Sequence, residues 1–103
     1  MAGESRIKVY GTAYCSFCMA ARMLLKKKGL EFEEISVDHD QSLRKEMETL
    51  SGRRSVPQIF LDGEPLGGFD ELYMLERSGE FDRLLDGAGI QIKNPNTQET
   101  NNG

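Results

Sequence analysis

A strand-like run gives way to a helical one at two cysteines spaced two residues apart. Ile7, Val9 and Tyr10 lead through Gly11 to Cys15-Ser16-Phe17-Cys18, and Met19 to Lys28 follow; no other cysteine occurs in the 103 residues. A C-x-x-C pair at such a junction reads as a redox pair. Cysteine reacts as a thiolate, which a helix N-terminus favours through its free N–H groups and partial positive charge. Cys15, at that end, is the candidate nucleophile. Cys18, one turn in and on the same face, is expected to be the more buried thiol and the resolving partner.

The strand over 6–10, a helix from Cys15 or Ser16 to Lys28 and a strand over 31–37 make a βαβ unit, which predicts parallel strands with a right-handed crossover. Met19, Ala20, Met23 and Leu24 recur at helical spacing and are the expected buried face. Gly29 suits the C-terminal end of this helix, and Lys26 to Lys28 read as a solvated helix end. A second helix over 41–51 carries Leu43, Met47 and Leu50 on one stripe and closes at Gly52. Gln58 to Leu61 then form a strand, Asp62-Gly63 a hairpin turn, and Glu64 to Gly67 a return strand placed at the sheet edge by Pro65. A third helix from about Asp70 to Ser78, with Met74 and the leucines as core, and a short fourth over 80–86 complete the set. This order is that of the thioredoxin fold: α/β, four strands in the order 2-1-3-4 with the last two antiparallel, flanked by helices. The expected organisation is a flexible N-terminus over 1–5, one domain over 6–86 and a disordered polar tail over 87–103.

Thirteen basic residues stand against 17 acidic ones, a net charge of −4, and the basic residues are scattered apart from Lys26 to Lys28 and Arg53-Arg54. Nucleic acid is not an expected partner, since phosphate binding wants a concentrated basic surface. No run approaches the length of a membrane span and the first residues lack a signal-peptide core, so the expected location is a reducing cytoplasm with no membrane partner. There a lone cysteine pair is catalytic or metal-binding more often than structural. Structural zinc wants four protein ligands, and beyond the cysteines only His39 is a conventional nitrogen or sulfur donor. His39 itself reads as a solvated turn residue.

Lys8-Val9-Tyr10, Cys15-Ser16-Phe17-Cys18, Ser55-Val56-Pro57 and Gly67-Gly68-Phe69-Asp70, in this order and spacing, resemble the glutaredoxin family, in particular its bacterial dithiol class. The resemblance spans roughly residues 6–86 and implies a glutathione-dependent thiol-disulfide oxidoreductase. Its substrates would be disulfide-bonded or glutathionylated proteins. It also implies that Pro57 is a cis-proline facing the cysteines, although a simple break before a strand is an alternative. Glutathione carries two carboxylates and one ammonium. On this reading Ser55 and the backbone of Val56 meet its cysteinyl backbone, and Gly68, Phe69 and the helix start behind them receive its γ-glutamyl carboxylate. Asp70, with Glu71, takes the ammonium, and Lys8 and Arg53 or Arg54 the glycyl carboxylate. Lys8 would also help hold the thiolate, and Tyr14 would flank the ligand. Asp70 has a second reading, compatible with the first, as an ordinary helix N-cap.

The common dithiol loop of the family has Pro and Tyr between its cysteines, where this chain has Ser16 and Phe17. Loops without that proline resemble those that hold a [2Fe-2S] cluster between two monomers, with Cys15 a ligand from each and glutathione supplying further thiolate. A cluster-bridged dimer is thus the alternative to a monomeric enzyme. A thioredoxin-like carrier reduced by a flavoprotein is a third reading, disfavoured by the charges around the proposed glutathione site.

Overall fold

A computed structural model describes residues 6–90. The chain runs β1 (Ile7–Gly11), α1 (Ser16–Lys27), β2 (Glu33–Ser36), α2 (Gln41–Ser51), β3 (Gln58–Leu61), β4 (Glu64–Gly67), α3 (Phe69–Ser78) and α4 (Glu80–Gly87). The sheet order is β2-β1-β3-β4. β1 pairs parallel with β2 and antiparallel with β3, and β3 pairs antiparallel with β4. This is the thioredoxin fold expected from the element order. Asp62 and Gly63 both have positive φ, 53° and 84°, as a tight hairpin between right-twisted strands demands.

Alternation along β1 sends side chains to two cores. On one face Ile7 and Val9 join Ala21 and Leu25 of α1, Leu72 of α3, and Phe81 and Leu85 of α4. On the other, Tyr10 and Phe60 meet Met47 of α2 and Val37. β1 and β3 lie at the centre of the sheet, so the loop leaving β1 at Gly11 and the turn entering β3 before Gln58 emerge side by side. That adjacency creates the site.

Several expectations need correction. The buried face of α1 is Cys18, Ala21 and Leu25, whereas Met19 and Met23 are exposed. Leu50 and Met74, expected in the core, are exposed as well. Lys28 is no solvated helix end: its side chain is only 2% exposed and its Nζ sits 2.7 Å from Asp82 and 2.9 Å from Glu76. Burial alone would lower its pKa, but hydrogen bonds to both carboxylates outweigh that and raise it. Helix α3 starts at Phe69 with Gly68 as its N-cap, so Asp70 is inside the first turn and is not the cap. The fourth helix reaches Gly87, and Ile90 packs against the core, so the packed unit extends past Asp86. The expected flexible N-terminus, and the expected tail from residue 91 onward, lie outside the described residues. Among the described residues no helix is long and apolar enough to cross a membrane.

Candidate active site

Cys15 is the N-cap of α1, in extended conformation, and its Sγ accepts the backbone N–H of Cys18 at 3.2 Å. A sulfur in this position occupies the place of a capping oxygen and satisfies a donor the helix cannot pair internally. Burial works against ionisation of Cys15. Hydrogen bonds from the Cys18 side chain and from the backbone N–H groups of Cys18 and Phe17, with the charge of Arg22, win and hold its pKa below the ordinary thiol value. Cys18 is fully buried. Desolvation first, then the hydrogen bond it gives Cys15, pushes its thiol up to about 11, against smaller lowering effects from the Thr12 backbone and Arg22. Both cysteines are free thiols. One sequence spacing therefore yields two different sulfurs: an accessible one biased toward thiolate and a buried one held protonated.

The Val56–Pro57 peptide bond is cis, as the resemblance implied. The carbonyl of Val56 faces the Cys15 thiol at 3.9 Å, which sets the turn before β3 against the helix start. Gln58, completely buried, holds that turn from beneath by donating from Nε2 to the carbonyl of Ser55 at 2.9 Å. On the other flank, Asp38 accepts the backbone N–H of Ala13 through Oδ2 at 3.0 Å and so ties the cysteine loop to the end of β2. Neither Gln58 nor Asp38 carries a sequence signal for this role. Their partners become neighbours only through the β2-β1-β3 pairing.

Beside the cysteines lies a groove of about 140 Å³. Ser55, Val56 and Pro57 form one wall and Gly68, Phe69, Asp70 and Glu71 the other, with Phe17 and Arg53 completing it. The walls approach closely at Gly68, where an added Cβ would lie 3.2 Å from the Pro57 carbonyl oxygen. Glu71 reaches back to accept the Gly68 N–H at 2.9 Å and pairs with Arg53 at 3.3 Å. The Gly68 and Glu71 backbone N–H groups, ahead of Arg53, hold its carboxyl below the usual range. Glu71 is thus committed to the helix start, which leaves Asp70 as the groove carboxylate without such an engagement.

Three residues of the expected site are not in this groove. Lys8 sits near the start of β1, opposite Glu33 and Phe60, at the end remote from the cysteine loop. Arg54 is directed to Glu48 at 3.4 Å. Tyr14 is 98% exposed and contributes no wall. Phe17, not expected as a binding residue, does line the groove and stacks with Phe69 at 6.2 Å between ring centroids. Its signal was its position: the residue before a buried helix-start cysteine must point outward beside the reactive sulfur.

A thioredoxin fold with an accessible, helix-capping cysteine, a buried partner and a cis-proline opposite defines a thiol-disulfide oxidoreductase. The glutaredoxin family model matches residues 7–66. A probable glutaredoxin of Synechocystis is 44% identical over 86 residues, covering 82% of this chain and 98% of its own. Glutaredoxin 3 of Escherichia coli is 41% identical over 81 residues, covering 79% and 98%. A buckwheat glutaredoxin solved as a glutathione complex superposes with a TM-score of 0.77 at 24% identity, covering 84% of this chain and 83% of its own, a likeness of fold. The chain belongs to the glutaredoxin family.

Proposed function

We propose that this protein uses glutathione to reduce protein disulfides and glutathione mixed disulfides in the cytoplasm, acting as a monomer. The observation that carries this reading is the groove itself, which joins the cis-proline turn to the start of α3 beside Cys15 and holds a cation, Arg53, and an anion, Asp70. The backbone of Val56, in the groove wall, pairs with the cysteinyl backbone of glutathione as an added strand would. Asp70 takes the ammonium, the first turn of α3 the γ-glutamyl carboxylate, and Arg53 the glycyl carboxylate.

In this mechanism Cys15 thiolate attacks one sulfur of the substrate disulfide and the other sulfur leaves as a thiolate. With a protein disulfide, Cys18 gives up its proton and attacks the Cys15 sulfur, releasing the reduced substrate and leaving a Cys15–Cys18 disulfide. One glutathione thiolate opens that bond at Cys15, and a second removes the first as oxidised glutathione. A couple at about −200 to −230 mV, the range of this class, would be reducible by the glutathione pool.

The test is anaerobic purification with glutathione, followed by a glutathione-coupled disulfide reductase assay and a size measurement on the same sample. A colourless, active monomer is expected. A brown dimer, active only after losing its colour, would replace this reading with the cluster-bridged one, in which Cys15 is a [2Fe-2S] ligand.

A further inference from the structure

Arg22 lies about one turn beyond Cys18 and two beyond Cys15 on the same face of α1. Helical side chains lean toward the N-terminus, so its stem reaches back toward the cysteines. The side chain is only 19% exposed and borders a second cavity of about 360 Å³ between α1 and the β2 edge. Gly11, Thr12 and Ala13 line that cavity too. The same Gly11 lies against the resolving thiol, for a Cβ placed there would be 2.8 Å from Cys18 Sγ. The charged group facing Arg22 from β2 is Glu34, whose Oε1 stands 3.8 Å from Nε, longer than a hydrogen bond. The guanidinium is therefore mostly buried but only loosely neutralised.

We propose that Arg22 is a positioning residue for the thiol chemistry: a mostly buried cation on the helix face that carries the cysteine pair, with Glu34 on the neighbouring strand setting how much of its charge the sulfurs feel. This rests on Cys15 being the attacking thiol. The direction in which Arg22 acts on both thiols, toward ionisation, agrees with the geometry. Lys8, at the far end of β1, does not supply this charge.

The experiment measures iodoacetamide labelling of Cys15 at neutral pH, located by peptide mass spectrometry, and the disulfide fraction in a glutathione buffer. It compares the full chain with Arg22→Gln, Arg22→Lys and Glu34→Gln. Arg22→Gln should slow labelling about 3-fold, because less of Cys15 is then thiolate. It should also raise the disulfide fraction, because the reduced form loses thiolate stabilisation. Arg22→Lys should keep most of the wild-type rate, and Glu34→Gln should label about 2-fold faster, since a Coulomb term is removed from the cation's surroundings. A wild-type rate and disulfide fraction in Arg22→Gln would overturn the proposal, as would an unchanged or slower rate in Glu34→Gln. If Arg22→Gln failed to fold, the half-exposed Glu34 would decide alone. Labelling at Cys18 in place of Cys15 would overturn the nucleophile assignment beneath it, a distinct failure.

Discussion

The sulfur of Cys15 caps α1 by accepting the backbone N–H of Cys18 at 3.2 Å, so the residue proposed to resolve the mixed disulfide also supplies, through its backbone, a donor to the thiol proposed to attack. The two roles cannot be exchanged, because only one sulfur can stand at the cap and the other is sealed beneath it. Cys15→Ser should abolish every activity. Cys18→Ser should keep the removal of glutathione from mixed disulfides while losing reduction of protein disulfides. Parallel assays on the two substrates check this; an active Cys15→Ser would contradict it.

Asp70 and Glu71 are adjacent carboxylates in different surroundings: Glu71 accepts the Gly68 N–H, whereas Asp70 lines the groove where glutathione is proposed to bind. Asp70→Ala should weaken glutathione use several-fold, read as a raised KM for glutathione, with little change in urea midpoint. Glu71→Gln should cost about 0.5–1 kcal/mol as a weakened cap, modest because the group is half exposed. Its carboxyl has a depressed pKa in the fold, so the stability it adds is fully present above the unfolded carboxylate value of 4.5 and is lost as pH falls through the folded value. The stability gap between Glu71→Gln and wild type should therefore close in acid. A gap independent of pH would remove the carboxylate from the capping role.

Lys28 joins the end of α1 to Glu76 of α3 and Asp82 of α4. Lys28→Met should destabilise by about 2–3 kcal/mol, somewhat below the 3–5 typical of breaking a fully buried pair, because the carboxylates are partly exposed. Its pKa is raised in the fold, so this stability is fully present below the unfolded value of 10.5 and is lost as pH rises through the folded one. Urea denaturation at neutral and strongly alkaline pH reads both effects. Equal midpoints for variant and wild type at neutral pH would show the triad to be neutral.

Asp38 acts on the cysteines only through the loop it ties. Asp38→Ala should reduce kcat/KM a few-fold, with a stability loss within about 1 kcal/mol, the worth of one partly exposed hydrogen bond. Unchanged turnover in Asp38→Ala would show that the loop holds its shape without this contact.

How much could be read beforehand follows from the range of the interactions. Strand, helix and turn identities rest on local patterns, and the Asp62-Gly63 hairpin and the edge placement of Pro65 came through intact. The buried face of α1 did not. Met19 and Met23 form one apolar stripe and Cys18, Ala21 and Leu25 another, and only packing against α3 and α4 selects the second, whose small residues admit close approach. Lys28 stood in a run of three lysines, and its acidic partners, Glu76 and Asp82, lie two and three helices further along the chain. At the site, the cysteines, Val56, Pro57 and Asp70 were legible as motifs. Lys8 was expected from the resemblance to the family's lysine ahead of the cysteine loop, but it stands near the start of β1, opposite Glu33 and Phe60, at the other end of an extended strand.

The central claim, that one cysteine is an activated helix cap and the other a buried reserve, is tested most directly by iodoacetamide labelling of the reduced protein from neutral to alkaline pH, with Cys15 and Cys18 resolved by peptide mass spectrometry. Cys15 should label readily at neutral pH, and Cys18 should stay protected until the pH approaches its value of about 11. Labelling of Cys18 first, or of both with a common pH midpoint, would contradict the assignment.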